Sequence, residues 1–186
     1  MEDKVYKIVT TIGIELYCTW EAIWTWIPGR IGRLIRKFVI APFLSYDIPK
    51  YRAIWKIEIP EYVHFWEPWK ICCKGYVRFG KYSQINGAGR INIGSDVMMG
   101  PYTMITTVNH NFTDKNTIIR KMPSHLQEVN IGDDVWIGGH CSILSGAAVP
   151  NGCVLAAGAI YTANSKKSEY AVYAGIPAKQ IKVRSM

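Results

Sequence analysis

The stretch from Ile131 to Leu155, IGDDVWIGGHCSILSGAAVPNGCVL, carries a large aliphatic residue at every sixth position. These residues are Ile131, Ile137, Ile143, Val149 and Leu155. Four residues after each of them comes a small or β-branched residue, in the series Val135, Cys141, Ala147, Cys153 and Ala159. A period of six is neither the period of a helix nor the simple alternation of a strand, so it predicts short strands joined by tight corners.

The same period continues towards the N-terminus of the chain. It passes through Met99-Gly100 and Ile93-Gly94 and, after a slip of two residues, through Ile85 and Phe79-Gly80. Before residue 70 only an alternation remains, at Ile57, Ile59, Val63 and Phe65. Three hexapeptides make one triangular coil of a parallel β-helix, and stacked coils bury a continuous core. A β-sandwich is the alternative, but its turn signals are expected about every 8–12 residues.

Composition narrows the class of protein. The chain has 186 residues, of which 49% are hydrophobic and 19% charged, so it is not disordered and has room for one main domain with an added segment. Its net charge of +8 favours an anionic partner: a phosphate-bearing cofactor, a nucleic acid or a membrane surface. The cysteine count of five is odd, with no CxxC spacing, which predicts reduced thiols in a cytoplasmic protein without a signal peptide.

The repeat divides the chain into three parts. These are an N-terminal helical segment over residues 1–50, a β-helix over 51–164 and a basic C-terminal tail over 165–186. A loop over 107–128 interrupts the repeat between Ile105 and Ile131. Insertions into solenoids tend to lie on the binding face, so this loop is expected to be functional.

The N-terminal part lacks the six-residue period. Residues 4–26 are predicted to form a helix that ends at Pro28-Gly29, and residues 30–40 form a second, basic amphipathic stretch. Glu15 and Glu21 argue against a membrane-spanning helix, because an acidic residue near the bilayer centre costs about 2.5–3.5 kcal/mol. Two interpretations stay open: helices that cap the first coil, or contact of residues 1–40 with anionic lipid.

The segment from Ile93 to Arg184 resembles the left-handed β-helix hexapeptide acyltransferases. The motifs that carry the resemblance are Asn109–Phe112 (NHNF), Val129–His140 (VNIGDDVWIGGH), Ala156–Ala159 (AAGA) and Ala174–Lys179 (AGIPAK). The spacing from Ile93-Gly94 to His110 is similar to that of the maltose and galactoside acetyltransferases. The N-terminal IPGRIGR, Ile27–Arg33, looks more like the O-acetyltransferases of bacterial surface glycans.

This resemblance implies a left-handed β-helix, a homotrimer with active sites between subunits, and transfer of an acetyl group from acetyl-CoA. It gives His110 in the loop the role of general base, since a hydroxyl attacks a thioester well only when a base removes its proton. The resemblance also places Asn86 in the acceptor pocket, and Asn109 beside His110 is a further acceptor-binding candidate. Backbone N–H groups around Gly138-Gly139 are candidates for stabilising the oxyanion.

The residues expected to bind acetyl-CoA fall into two groups. Trp136 offers an indole face to the pantetheine arm, while small or short side chains allow the coenzyme to approach the backbone at Gly139, Ala157 and Thr162. The phosphate groups require cations, for which the tail supplies Lys166, Lys179 and Lys182. The family often has a lysine where this chain has Ala163, and Lys166 is the residue expected to replace it.

Three other functions are conceivable for this sequence. A metal-dependent carbonic anhydrase on the same solenoid needs three histidine ligands; the chain has His64, His110, His125 and His140 but lacks the family's pair five residues apart. A nucleic-acid-binding protein lacks its motifs here, and the basic residues gather at the two ends. A non-enzymatic scaffold would lack His110.

The sequence therefore predicts an acetyl-CoA-dependent O-acetyltransferase that acts on a sugar hydroxyl, in surface polysaccharide biosynthesis. A xenobiotic or small-molecule acetyltransferase is the alternative within enzymes. The expected location is the cytoplasm, with peripheral contact at the inner face of the membrane. The expected partners are two further copies of the chain and a sugar or glycan acceptor, and neither a metal nor a nucleic acid is expected.

Overall fold

The computed structural model of the chain describes residues 27, 29–41, 44–46 and 56–184. One helix, α1, spans Gly29–Val39. Nineteen short strands follow: β1 (Ser45–Tyr46), β2 (Ile57–Glu58), β3 (His64–Trp66), β4 (Ile71–Cys73), β5 (Val77–Arg78), β6 (Gln84–Asn86), β7 (Ile91–Ile93), β8 (Val97–Met99), β9 (Met104–Thr106), β10 (Val108–His110), β11 (Ser124–Leu126), β12 (Val129–Ile131), β13 (Trp136–Ile137), β14 (Ser142–Ile143), β15 (Ala148–Val149), β16 (Val154–Leu155), β17 (Ile160–Tyr161), β18 (Ala171–Ala174) and β19 (Lys179–Val183).

The strands form the three faces of a β-helix. Sheet A has the order β1-β4-β7-β12-β15, sheet B the order β2-β5-β8-β13-β16-β18-β19, and sheet C the order β3-β6-β9-β14-β17. Within these three sheets successive coils pair in parallel, except that β19 runs antiparallel to β18. A separate antiparallel pair, β10 and β11, forms a hairpin outside the sheets. The six-residue period thus corresponds to one strand and one corner, as the sequence predicts.

The coils differ in length, which explains the two-residue slip in the repeat. Ile57 pairs with Val77 and Val77 with Val97, a spacing of 20 residues. Trp136 pairs with Val154 and Val154 with Val172, a spacing of 18. The longer coils turn more widely between sheets C and A, at residues 87–90 and at a 3₁₀ turn over Pro68–Lys70. The loop 107–128 leaves the β-helix at this same corner, between β9 and β12.

The core is the column of inward-pointing side chains. All five aliphatic residues from Ile131 to Leu155 are buried, and so are all five small residues of the second series. Where sheet B turns into sheet C, a side chain at position 100 would not fit between coils, because a Cβ on Gly100 would collide with the backbone nitrogen of Gly139 in the next coil. The backbones of these two coils therefore approach closely at this corner.

A stack of rings follows the outside of the corner between sheets B and C. Tyr62, Tyr82, Tyr102 and His140 lie one above another, with centroid separations of 4.8, 5.0 and 4.7 Å. All four residues have positive φ. Stacked aromatic pairs stabilise by about 0.5–1.5 kcal/mol each beyond their buried area, so the column reinforces the alignment of four coils.

Helix α1 confirms the amphipathic stretch that the sequence predicts over residues 30–40. It packs beside β2 through Gly32 and Arg36, both buried. The helix predicted over residues 4–26 lies outside the described residues. Among the helices that the structure does describe, none is long and apolar enough to cross a membrane.

The tail closes the far end of the β-helix. β18 and β19 form a hairpin that extends sheet B, and Arg184 after it binds Asp134 Oδ2 and the Gly152 carbonyl, both at 2.8 Å. The tail over residues 165–186 therefore contributes strands to the solenoid's own sheet. The division of the chain at residues 50 and 164 stays a prediction.

Candidate active site

His110 lies on a hairpin that projects from the β-helix. β10 and β11 pair antiparallel, with His110 opposite Ser124 and Asn109 opposite His125. The imidazole is exposed to solvent, and its Nδ1 lies 3.1 Å from the Ser124 hydroxyl oxygen. When Nδ1 carries the proton and donates it to Ser124, Nε2 keeps a lone pair and can accept a proton. Ser124 was not identified from the sequence.

The root of this hairpin is fixed by Thr107, which is fully buried. Its hydroxyl accepts a hydrogen bond from the Gly89 amide at 2.7 Å and donates to the Asn86 carbonyl at 2.9 Å. Its carbonyl accepts from the Gln127 amide at 3.0 Å and from the Ser145 hydroxyl at 3.1 Å. These bonds tie the hairpin to the coils before and after it, so His110 extends from a rigid base.

Asn86 lies in a small cavity on the outer face of sheet C. Trp66, Asn86 and Thr106 are neighbours in successive strands, and they line about 240 Å³ together with His64, Gln84 and Met104. The Asn86 side-chain oxygen accepts a hydrogen bond from the Ala88 amide at 3.1 Å. Asn109 is not among the lining residues. Trp66, with 46% of its surface exposed, is a cavity residue that the sequence did not single out.

A larger groove, about 810 Å³, runs along sheet B and its corner with sheet C. It contains four of the residues predicted to bind coenzyme: Trp136, Gly139, Ala157 and Lys182. The Trp136 indole points outward from β13, with 54% of its surface exposed. The groove also takes in Arg184 of the basic tail, and Gly100, Pro101 and Val172, which the sequence did not predict.

The other predicted coenzyme residues line an adjoining cavity of about 500 Å³ at the C-terminal end. Thr162, Lys166, Lys179 and Lys182 all contribute to its wall. Lys182 on β19 lines both the groove and this cavity, so the two form neighbouring compartments with one shared cation. An apolar compartment next to a cationic one matches a ligand with an apolar arm and a phosphorylated end.

One suggestion about the oxyanion is wrong in part. The Gly138 N–H already donates to the Leu155 carbonyl at 2.8 Å, because residue 138 continues the strand pairing between coils. This amide is therefore engaged within sheet B and does not point at a substrate.

The cysteines of the repeat are buried, as their small-residue positions predict. Cys73, Cys141 and Cys153 have no exposed surface, and burial raises the pKa of each thiol. A protonated, buried thiol is a poor nucleophile. Within the described part of the chain, no group of three or more His, Cys, Asp or Glu side chains is placed to hold a metal ion.

The two halves of the candidate site lie on different edges of one chain. The His110 hairpin leaves from the corner between sheets C and A, whereas the Trp136 groove lies on sheet B and its corner with sheet C. Sheet C, with the Asn86 cavity, lies between them. A single chain therefore holds the root of the hairpin and the groove on opposite sides of one face.

Comparison with known proteins gives two relatives in sequence. The chain is 26% identical over 202 aligned residues to a protein of Mycobacterium tuberculosis named a probable acetyltransferase, covering all of this chain and 67% of that protein. It is 37% identical over 95 residues to a Schizosaccharomyces pombe protein that also carries an acetyltransferase name; this match covers 50% of the chain and 42% of the relative. No protein-family model matches the chain.

Solved structures share the fold. A maltose O-acetyltransferase from Clostridium difficile superposes with a TM-score of 0.73 at 19% identity, covering 94% of this chain and 88% of that one. A hexapeptide-repeat acetyltransferase from Vibrio cholerae gives 0.58 at 20% identity, covering 93% and 91%. An N-acyltransferase from Bacillus cereus, solved with dTDP and coenzyme A, gives 0.57 at 14%, covering 76% and 83%.

The six-residue repeat, the three-sided coils and the acetyltransferase relatives agree with one another. The fold is the left-handed parallel β-helix that these solved structures share. The chain is similar in sequence to two proteins that carry acetyltransferase names, and it shares its fold with solved hexapeptide-repeat acetyltransferases.

Proposed function

We propose that the protein transfers an acetyl group from acetyl-CoA to a hydroxyl group of a sugar, by direct attack of the hydroxyl on the thioester. The observation that carries the proposal is the pair of joined compartments at Trp136 and Lys182. An indole face and a glycine corner suit the pantetheine arm, and Lys166, Lys179 and Lys182 suit the phosphates. The Bacillus cereus neighbour that contains coenzyme A supports the same ligand class.

The proposed base is His110, held by Ser124. Nδ1–H donates a hydrogen bond to the Ser124 oxygen, so Nε2 has the free lone pair. Nε2 accepts the proton of the acceptor hydroxyl as the hydroxyl oxygen bonds to the carbonyl carbon of the thioester. The carbon–sulfur bond then breaks, and the imidazolium returns a proton to the departing thiolate. Atoms and protons balance without a covalent enzyme intermediate. This agrees with the raised pKa values of the buried thiols of Cys141 and Cys153.

The proposed acceptor site is the cavity on sheet C. The Trp66 indole gives an apolar plane that fits the C–H face of a pyranose ring, while Gln84, Asn86 and Thr106 offer hydrogen-bonding groups for its hydroxyls. The maltose O-acetyltransferase neighbour supports a sugar acceptor. We extend the proposal to surface polysaccharide or its precursors and to the cytoplasm, the compartment where acetyl-CoA is available.

We also propose a homotrimer with the active site between subunits. The support is the separation of the His110 hairpin from the Trp136 groove within one chain. A second copy that docks its hairpin beside the groove of the first completes a site that one chain leaves divided, and closed cyclic symmetry then makes all the sites equivalent. Each site would take its base from one subunit and its coenzyme groove from the next.

The test is acetyl-CoA turnover, followed by the appearance of free thiol, against a panel of sugars and small amine or hydroxyl acceptors. We expect sugars to be acetylated, and His110→Ala to lower kcat/KM by about 10²–10⁴-fold because a general base is lost. His125→Ala is the matched control: it removes the other imidazole of the same hairpin and is expected to keep activity within tenfold. Residual His110→Ala turnover within tenfold of the wild type would rule out the base assignment.

The same panel separates the alternative function. A small-molecule or xenobiotic acetyltransferase shares the histidine loop and the terminal coils, so it also depends on His110. It would turn over drug-like amines or alcohols in preference to every sugar. The effect of Trp66→Ala on a sugar KM could then not be measured.

A further inference from the structure

Helix α1 buries one charged side chain, Arg36, on its inner side and exposes apolar side chains on its outer side. Gly32 and Arg36 face the β-helix and are buried, whereas Ile31 and Leu34 face away, with 72% and 53% of their surface exposed. Phe38, one turn beyond Leu34, is 48% exposed. Residues at these spacings share one helix face, so the structure presents a continuous apolar stripe on its surface.

The anchor that sets this orientation is Arg36. Its Nη1 donates to the Ile27 carbonyl at 2.6 Å and its Nε to the Ile59 carbonyl at 3.2 Å, while Nη2 lies 3.5 Å from Glu61 Oε2. Rotating the helix would bury Ile31 and Leu34, but it would also break these contacts and leave the buried Arg36 guanidinium without its partners. The outward stripe is therefore built into the fold.

A basic cleft runs along one flank of the same helix. Arg30, Arg33 and Lys37 line about 330 Å³ between the helix and β2, with Leu34 on the outer side. The helix carries no acidic residue. Among the described residues that line the cleft, Glu58 is the one acidic side chain, and it lies 3.7 Å from Arg78, which partly neutralises it. The cleft is thus a cationic site that adjoins an apolar stripe.

We propose that this helix binds the surface of a membrane that contains anionic phospholipid. Arg30, Arg33 and Lys37 would hold phosphodiester headgroups in the cleft, while Ile31 and Leu34 enter the boundary with the acyl chains. An interfacial helix has this pairing of a basic flank with an apolar face. A second copy of the chain is a poorer occupant, because a symmetric contact would bring the same cations together.

The proposal is tested by sedimentation of the full-length protein with vesicles of phosphatidylcholine alone or mixed with phosphatidylglycerol. Binding is expected only to the mixed vesicles and is expected to weaken as salt is raised. Arg30→Gln/Arg33→Gln is expected to weaken binding by about 5-fold per charge removed, and Ile31→Ser/Leu34→Ser is expected to weaken it further. Both double variants should keep the wild-type melting temperature and acetyl transfer to a free sugar.

The loop offers matched controls of the same chemistry. Ile118 and Ile119 are 60% and 53% exposed and precede Arg120 and Lys121. The variants Ile118→Ser/Ile119→Ser and Arg120→Gln/Lys121→Gln should therefore bind the mixed vesicles as the wild type does. Replacing chloride by inorganic phosphate at constant ionic strength should not release the protein, which separates a lipid surface from a free phosphate site.

Three results would overturn the proposal. The first is equal binding to both kinds of vesicle, or to neither. The second is loss of binding in the loop controls to the same extent as in the helix variants. The third is a change in molar mass of the helix variants without lipid, by light scattering, since this would show that the stripe joins two copies of the chain. Each result leaves the acetyltransferase proposal intact, because none of these helix residues belongs to the candidate active site.

Discussion

At the scale of single residues, the candidate base depends on a neighbour 14 positions away in sequence. Ser124 reaches His110 only because β10 and β11 pair in a register that sets them opposite each other. When the Ser124 oxygen accepts a hydrogen bond from Nδ1–H, Nε2 is the nitrogen left without a proton, as with other orienting partners of histidine. Ser124 is thus a positioning residue, and its loss should affect the chemical step more than coenzyme binding.

We expect Ser124→Ala to lower kcat by about 3–10-fold, the effect of one lost hydrogen bond, with the KM for acetyl-CoA unchanged. Ser124→Thr keeps the hydroxyl and should restore most of the rate. An unchanged kcat in Ser124→Ala would contradict the positioning role.

Trp66 is the residue through which we expect the acceptor to be recognised. Its exposed indole borders the Asn86 cavity, so Trp66→Ala should raise the KM for the sugar about 5–10-fold, which corresponds to one lost aromatic contact. The KM for acetyl-CoA should not change. The sugar KM of Trp66→Phe should lie between those of the wild type and Trp66→Ala. Trp69→Ala is the matched control, since Trp69 is 40% exposed three residues away and does not line the cavity. Equal effects of Trp66→Ala and Trp69→Ala on the sugar KM would refute the assignment.

At the scale of elements, Glu61 joins helix α1 to the first two coils. Its carboxylate lies 2.8 Å from Lys81 Nζ and 3.5 Å from Arg36 Nη2. The hydrogen bond to Lys81 is the main reason that the pKa of Glu61 is lowered. Burial lowers the pKa of Arg36, and the charge of Glu61 opposes this. The carboxylate thus offsets the cost of burying the guanidinium.

A lowered carboxyl pKa stabilises the fold at pH values above the pKa of the same group in the unfolded chain, about 4.3 for glutamate. This stabilisation is lost as the pH falls through the pKa of the group in the folded protein. We therefore expect Glu61→Gln to lower the free energy of unfolding by about 1–3 kcal/mol at neutral pH. The gap from the wild type should close in acid. Thermal melts across this range measure it. Glu58→Gln is the control: it breaks an exposed ion pair and should change the free energy of unfolding by under about 1 kcal/mol. A loss of stability in Glu61→Gln that is as large in acid as at neutral pH would contradict this account.

The elements also show how far the sequence predicts this fold. The six-residue repeat from Ile131 to Leu155 predicts the coils because every sixth residue is aliphatic and points inward. This pattern is local, so it can be read without knowing which residues pack against each other. The orientation of helix α1 could not be predicted, since helical periodicity alone favours burying Ile31 and Leu34. Arg36 reverses this preference through contacts with Ile27, Ile59 and Glu61, and these depend on tertiary structure.

The candidate site divides in the same way. The family resemblance implies that Trp136, Gly139 and Ala157 bind the coenzyme, and the regular stacking of the coils brings the three into one groove. Lys182 joins them only because β19 folds back along β18. Ser124 and Trp66 gave no signal in the sequence, because one depends on hairpin register and the other on the neighbouring rows of sheet C.

At the scale of the whole molecule, the β-helix is a three-sided rod with different chemistry along its length. The N-terminal end carries the basic cleft and apolar stripe of α1, and the C-terminal end carries the lysines of the coenzyme cavity. Basic side chains thus line a candidate anion site at each end of the β-helix.

The separation of the candidate base from the candidate coenzyme groove within one chain predicts complementation between inactive variants. His110→Ala lacks the base and Trp136→Ala lacks the pantetheine contact, so each alone should turn over slowly at low acetyl-CoA. In an equimolar mixture that is dissociated and reassembled, half the hairpins and half the grooves are wild type. When a site takes its hairpin and its groove from different subunits, about a quarter of the sites combine two intact parts and activity recovers to that level. When both parts come from one chain, every site keeps one defect and mixing restores no activity, an outcome that would refute the shared site. The baseline activity is measured with a His110→Ala/Trp136→Ala double variant reassembled with His110→Ala.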